Sequence, residues 1–97
     1  MTISYDPNKR EATLLERGLD FARAAEVFDG NVFSWPDLRF DYGEQRIVTV
    51  GFLDDRMVIV VWTSRDDARQ VISMRKANAR EQAQFGERFK EDRRDGA

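Results

Sequence analysis

The chain has 97 residues, of which 41% are hydrophobic and 35% charged, and its formal net charge is −2. This length holds one small domain with a packed core, so a second core and wholesale disorder are excluded. The chain contains neither Cys nor His, which excludes a zinc enzyme and a Ser-His-Asp hydrolase, and we expect no metal ion and no cofactor. No apolar run is long enough to span a bilayer and no signal peptide is recognised, so a cytoplasmic location is expected.

The first third of the chain contains two helix starts. Asp6 followed by Pro7 combines a preferred N-cap residue with a preferred first helical residue, and Gly18 is typical of the position just beyond a helix end. We therefore predict a strand at residues 3–5 and then a helix that ends at Gly18. Asp20 caps a second predicted helix. The apolar stripe of that helix consists of Phe21, Ala24, Ala25 and Phe28.

The second half of the chain has the pattern of a sheet followed by a helix. Strands are predicted at residues 46–53, 57–62 and 69–74. The continuous apolar run at 57–62 is typical of a strand that is buried on both faces. Asn78 and Glu81 then resemble a capping box, which predicts a final helix to about residue 89.

Together these elements predict an α+β fold. The expected architecture is a compact single domain in the order β-α-α-β(3-4)-α, with an antiparallel sheet and the helices against one side of it. Residues 31–44 are irregular, with a brief strand expected at 32–33 and turn-like patterns at 35–37 and 41–43. The domain is predicted to cover residues 1–90, and residues 91–97 form a polar C-terminal tail.

Several cations lie near the end of the last predicted strand. Successive side chains of a strand point to opposite faces, so Arg69 and Arg75 are predicted to share one face with every second residue between them. Lys76 follows at the junction with the final helix, whose N-terminus favours anions. This pattern predicts a site that binds a phosphate group. The alternative is a solvated junction in which Arg69 pairs with Asp66 or Asp67.

Four motifs resemble those of one known family. They are Tyr5-Asp6-Pro7-Asn8-Lys9, Gly18-Leu19-Asp20-Phe21, Asp41-Tyr42-Gly43-Glu44-Gln45-Arg46, and Ile72-Ser73-Met74-Arg75-Lys76-Ala77 followed by Glu81. Their order and spacing resemble the BrnT family, the toxins of BrnT–BrnA type II toxin–antitoxin pairs. The resemblance implies a compact RelE-like fold and a ribonuclease that inhibits translation. Its implied partners are RNA and BrnA, a ribbon-helix-helix antitoxin through which the complex reaches operator DNA, and no membrane partner is expected.

Two positions depart from the family pattern. The segment Glu16-Arg17-Gly18 stands where many members have Lys-His-Gly, and Phe85 stands where an aromatic hydroxyl is common. These departures motivate an alternative function. In that alternative the chain is a catalytically weakened or inactive toxin-fold protein that acts as an antitoxin partner and corepressor.

A metal-independent ribonuclease uses the ribose 2′-OH as nucleophile, and it needs a base, a proton donor and cations around the phosphate. Glu44 is the predicted base, and Arg46 and Arg75 are the predicted phosphate-binding groups. Tyr42 is predicted to donate a proton or to stack on a nucleobase. Further predicted RNA-binding residues are Lys76, Arg69 and Arg65.

These assignments have structural alternatives. Glu44 and Arg46 are also placed to form an ion pair with each other, and Glu81 is better explained as a helix cap than as a catalytic group. The nuclease hypothesis expects Glu44, Arg46 and Arg75 to surround one hollow, and it is contradicted if these residues lie far apart or face unrelated surfaces.

Overall fold

The computed structural model describes residues 2–95, with side chains to residue 91. Within this range the chain forms five strands, three α-helices and one short 3-10 turn. The strands are β1 (Thr2–Tyr5), β2 (Phe33–Pro36), β3 (Ile47–Leu53), β4 (Arg56–Arg65) and β5 (Ala68–Lys76). The helical segments are α1 (Pro7–Arg17), the 3-10 turn (Phe21–Arg23), α2 (Ala24–Asp29) and α3 (Ala79–Asp95).

All five strands belong to one sheet in the order β1-β5-β4-β3-β2. Strands β2 to β5 pair with their neighbours in antiparallel fashion, whereas β1 pairs with β5 in parallel. The α+β class and the predicted order of elements are confirmed, and the sheet is mixed rather than wholly antiparallel. The parallel pair joins two strands that are distant in the sequence, so no local turn pattern specifies it.

The predicted limits of α1 are confirmed by its caps. The Asp6 carboxylate accepts a hydrogen bond from the backbone N–H of Asn8, and Pro7 occupies the first turn. At the other end Gly18 has a φ of 69°, the left-handed conformation that glycine adopts without steric cost.

Helices α2 and α3 lie on opposite faces of the sheet, which we name the α2 face and the α3 face. On the α2 face, Val27 packs with Val60 and Trp62. On the α3 face, Phe89 packs with Ile59. The predicted arrangement with all helices on one side is therefore wrong. The physical reason is that β4 is apolar on both faces, so each face needs its own covering layer.

The second predicted helix begins with a tighter turn than expected. Asp20 caps it, as predicted, by accepting a hydrogen bond from the N–H of Ala22. Because the first turn is 3-10, with about three residues per turn, the buried positions recur at every third residue. They are Phe21, Ala24 and Val27. Of the other predicted stripe residues, Ala25 is exposed, whereas Phe28 is partly buried and packs against the same core, as predicted.

Helix α3 continues to Asp95, beyond its predicted end near residue 89. The division between domain and tail at residue 91 stays a prediction, and residues 96–97 of that tail lie outside the described residues.

Among residues 2–95, no helix has the length and apolar character that crossing a bilayer requires.

Candidate functional site

A cleft of about 540 Å3 lies on the α3 face, where β5 ends and α3 begins. Its charged lining comes from two places: Arg75 and Glu81 flank the junction of β5 with α3, and Asp37 and Arg39 follow β2. The remaining lining residues are Trp35, Pro36, Leu38, Val48, Ile59, Val61 and Ser73. The cleft therefore combines an apolar sheet surface with two guanidinium groups and two carboxylates.

Arg75 is anchored in this cleft by a two-point ion pair with Glu81. Its Nη1 and Nη2 donate hydrogen bonds of 2.7 and 2.8 Å to Glu81 Oε1 and Oε2. The pair raises the pKa of Arg75, because Glu81 stabilises the charged guanidinium. The Arg75 side chain nevertheless remains 44% exposed, so the guanidinium is held in place and still accessible to an anion.

Glu81 also completes the predicted capping box of α3. Its carboxylate accepts a hydrogen bond from the N–H of Asn78, and the Asn78 side chain accepts one from the N–H of Glu81. The hydrogen bonds from Arg75, and secondarily that from Asn78, lower the pKa of Glu81 to about 2. Glu81 therefore stays ionised near neutral pH and is unsuited to serve as a general base.

Asp37 is a buried carboxylate at the edge of the cleft. Its side chain is 3% exposed and accepts hydrogen bonds of 2.9 Å from both Nε and Nη2 of Arg39. It also accepts bonds from the N–H of Arg39 and the hydroxyl of Tyr42. The Arg39 guanidinium, as the main cause, lowers the pKa of Asp37 to about 2.

The residues predicted around the central motif form a second charged group. The Glu44 carboxylate lies 3.6 Å from Nε of Arg46 and 3.1 Å from Nη2 of Arg65. The Arg46 guanidinium lies over the Tyr42 ring, 3.9 Å from its centroid. The structure thus brings Glu44, Arg46, Tyr42 and Arg65 together, and the ion pair foreseen between Glu44 and Arg46 is present.

This group adjoins the cleft through contacts with Asp37. The Tyr42 hydroxyl donates a 3.3 Å hydrogen bond to Asp37, which lines the cleft together with Arg75. Glu44 and Arg46 are not part of that lining. The predicted hollow is therefore two adjoining groups linked by Asp37, rather than one ring of Glu44, Arg46 and Arg75.

A bulge in β5 separates Arg69, one of the predicted RNA-binding cations, from Arg75. Val61 pairs with Ser73 but Trp62 pairs with Val71, so the strand register shifts by one residue between them. Arg69 consequently lies on the α2 face, where its guanidinium is 5.2 Å from the Trp62 ring centroid. The predicted shared face of Arg69 and Arg75 is wrong for this reason.

Lys76 also lies on the α2 face by its register. It is the cross-strand partner of Val58, whose side chain belongs to the core on that face. Arg75, one residue earlier, pairs with Ile59 on the α3 face. Of the predicted cations, the cleft itself contains Arg75, and Arg46 and Arg65 belong to the adjoining group.

Comparison with protein families gives a match across most of the chain. A family model described as the ribonuclease toxin BrnT of type II toxin–antitoxin systems matches residues 5–81. The chain belongs to this family. The matched region includes both charged groups, and membership of a type II toxin–antitoxin family implies an antitoxin partner. A search of curated proteins returns no match.

The two residues that depart from the BrnT pattern both have structural contacts. Arg17 donates a 3.0 Å hydrogen bond to the backbone carbonyl of Met74, directly before Arg75 in β5. Phe85 stacks on Trp35 with the ring centroids 5.4 Å apart, and Trp35 lines the cleft. Arg17 therefore binds the backbone next to the cleft and Phe85 packs against a residue of its lining, although neither residue is itself part of the lining.

Sequence reasoning missed Asp37 and Arg39 of this BrnT chain. The turn-like pattern at residues 35–37 gives no indication that Asp37 pairs with a residue two positions later. The available indication in the sequence is that two oppositely charged residues, Asp37 and Arg39, alternate with apolar Leu38 after an aromatic residue. Burial of the Asp37 carboxylate depends on how the segment after β2 folds back, since the N–H of Asp37 donates to the carbonyl of Arg46.

The lowered pKa of Glu81 predicts an acid-dependent loss of stability. A carboxyl whose folded pKa is about 2, below its ordinary value of 4.5, stabilises the fold above pH 4.5. That contribution is lost as the pH falls from 4.5 toward 2. We expect the Glu81→Gln variant to be less stable at pH 7 and to lose less stability on acidification, as measured by urea unfolding at several pH values.

The matched control for this prediction is Glu87→Gln on the same helix. Among residues 2–91, Glu87 is exposed and forms no ion pair, so its replacement should leave the pH profile unchanged. Asp20 and Asp37 keep lowered pKa values in both variants, so part of the acid sensitivity should persist. Parallel profiles for wild type and Glu81→Gln would contradict the prediction.

Proposed function

We propose that this BrnT family member is a metal-independent endoribonuclease that inhibits translation and is neutralised by a ribbon-helix-helix antitoxin. The observation that carries the proposal is the Arg75 guanidinium, anchored by Glu81 and accessible in a cleft of the α3 face. An anchored and accessible cation stabilises charge that develops on a phosphate without reorganising during the reaction. The family match supports RNA as the substrate.

In this proposal the ribose 2′-OH attacks the adjacent phosphate, and the 5′-oxygen leaves with a proton. Arg75 binds the phosphate, and Arg46 in the adjoining group binds a neighbouring part of the RNA backbone. The planar guanidinium presents several donors in a fork that matches phosphate oxygens. Positioning of the RNA for in-line attack supplies much of the rate.

Glu44 and Tyr42 are the proposed proton-transfer groups. Glu44 accepts the proton of the 2′-OH, and its partly buried position between Arg46 and Arg65 orients the carboxylate. Tyr42 donates a proton to the leaving oxygen or stacks on a base. Arg65 extends the cationic surface beside Glu44, whereas Lys76 and Arg69 would contact a more distant part of the RNA because they lie on the α2 face.

The test combines growth, translation and cleavage measurements. Induced expression without antitoxin should arrest growth and protein synthesis, and coexpression of the cognate antitoxin should restore both. Purified protein should cleave RNA in the presence of EDTA, should leave 2′,3′-cyclic phosphate ends, and should not cleave RNA that is 2′-deoxy at the cut site. Folded protein that binds its antitoxin but leaves growth and RNA intact would contradict the proposal and support the corepressor alternative.

A further inference from the structure

The segment after β2 holds a second guanidinium, that of Arg39, which is not among the site residues predicted from the sequence. Arg39 lines the same cleft as Arg75, and its side chain is 71% exposed although two of its nitrogens are bound to Asp37. A guanidinium has five N–H donors, so the groups on Nη1 remain for a ligand after the bonds from Nε and Nη2. Arg39 is therefore anchored and accessible, as Arg75 is.

The electrostatics of the cleft favour a shared anion. Each guanidinium is paired with one carboxylate, which fixes its position. Glu81 has the largest effect on the pKa of Arg75 and raises it, whereas the nearby positive charge of Arg39 lowers it. Two like charges in one cleft repel each other, and an anion bound near both relieves the repulsion. The RNA backbone carries negatively charged phosphates at regular spacing and is an anion of this kind.

Two exposed apolar side chains flank Arg39. Leu38 is 84% exposed and lines the cleft, and Phe40 is 67% exposed. The Phe40 ring contacts the Tyr42 ring edge to face at a centroid distance of 5.8 Å, which leaves much of the Phe40 surface open. An exposed aromatic ring beside an anchored cation is the combination that binds single-stranded nucleic acid, through base stacking and phosphate contact.

We propose that Arg39, positioned by buried Asp37, binds a backbone phosphate of single-stranded RNA in the cleft and that Phe40 stacks on a base of the same RNA. This inference rests on the proposed function and adds to it a second phosphate contact and a base contact. Asp37 acts through Arg39 and Tyr42 and is a positioning residue, because its own carboxylate is buried.

Binding is measured with a 2′-O-methyl RNA oligonucleotide that cannot be cleaved, by fluorescence anisotropy at several salt concentrations. Arg39→Ala should weaken binding about tenfold or more and should reduce the slope of log affinity against log salt by about 0.7, the value for one phosphate contact on a single strand. Arg39→Lys should keep most of the salt slope and recover part of the affinity, since Lys keeps the charge but not the fork. Arg80→Ala is the control, because Arg80 is exposed on α3 outside the cleft lining.

Phe40→Ala should weaken binding by about tenfold without changing the salt slope, since stacking involves no counterion release. Leu15→Ala is its control, because Leu15 is 87% exposed on α1 and away from the cleft lining. A similar loss of affinity in both variants, with a lower salt slope for Arg39→Ala alone, would separate phosphate contact from base contact.

Asp37→Asn distinguishes positioning from a simple charge effect. Removal of a negative charge beside the cleft should strengthen RNA binding if only net charge matters. Loss of the two-point hold on Arg39 should instead weaken binding and raise KM more than it lowers kcat. Thermal melting of each variant identifies folded protein, and the exposed Arg39 variants remain informative if Asp37→Asn does not fold.

The results separate this inference from the function on which it rests. Wild-type protein that cleaves RNA, with Arg39→Ala and Phe40→Ala cleaving and binding as well as wild type, overturns the inference alone. Wild-type protein that neither binds nor cleaves RNA overturns both. Variants that lose affinity for the cognate antitoxin but bind RNA normally would assign residues 38–40 to the protein interface and would also overturn the inference.

Discussion

Arg75→Ala is expected to lower the rate of RNA cleavage by about 100- to 1,000-fold, the usual cost of removing one donor to a charge that develops in the transition state. Under the proposed function, Arg75 is the cleft guanidinium bound to the reacting phosphate. Its loss removes the charge-assisted contact with the reacting phosphate, and Arg39 is held in its own position by Asp37. The measurement is the single-turnover cleavage rate, together with growth after induced expression.

The same variant should remain folded. The ion pair of Arg75 with Glu81 is partly exposed, at 44% and 20% for the two side chains, and pairs of this kind contribute about 0–1 kcal/mol. Glu81 retains its capping bond with Asn78 in the absence of Arg75. Arg80→Ala is the matched control and should cleave at the wild-type rate. Cleavage by folded Arg75→Ala within about twofold of wild type would show that this cleft is not the active site.

Gly51→Ala is expected to lower the free energy of unfolding by about 1–3 kcal/mol, the usual cost of overpacking a core. A Cβ at residue 51 of β3 would lie 2.7 Å from Cγ1 of Val27 and 2.9 Å from Cγ1 of Val32. Val27 is fully buried and β-branched, so its side chain cannot rotate away freely. The loss is a large share of the roughly 5–15 kcal/mol that stabilises a small domain.

A double-mutant cycle tests the cause of this loss. Val27→Ala removes the nearer of the two close methyl groups, so Gly51→Ala should cost less in the Val27→Ala background than in wild type. Gly86→Ala on α3 is the matched control, because a Cβ there meets no atom within 4 Å, and it should stabilise by about 0.5–1 kcal/mol. Equal stability of Gly51→Ala and wild type in urea unfolding would contradict the close approach of α2 to β3.

The elements of the fold were predictable because their limits depend on neighbouring residues. The Asp6-Pro7 start, the Gly18 end and the Asn78–Glu81 box are local hydrogen-bonding or steric devices, and the structure contains all three. The two residues between β3 and β4, Asp54 and Asp55, both have positive φ values, as the two-residue turn of a hairpin requires. Such features need no knowledge of distant parts of the chain.

The candidate site was predictable only in part. Residue types and motif order indicated Arg75 and the group of Glu44, Arg46 and Tyr42, and the structure brings that group together. Their roles in catalysis stay predictions. The division into two adjoining groups was not visible in the sequence, because it depends on Asp37 being buried between them.

By itself, the sequence determined the class of fold, the order of its elements, the helix caps and the family. These properties follow from short-range patterns, in which each residue acts through neighbours within a turn or along one strand. The tertiary structure alone decided which face each cation occupies, the parallel pairing of β1 and the pairing of Asp37 with Arg39 and Tyr42. The physical reason is that one extra residue in β5 reverses every following side chain, and a carboxylate becomes buried only when distant segments close around it.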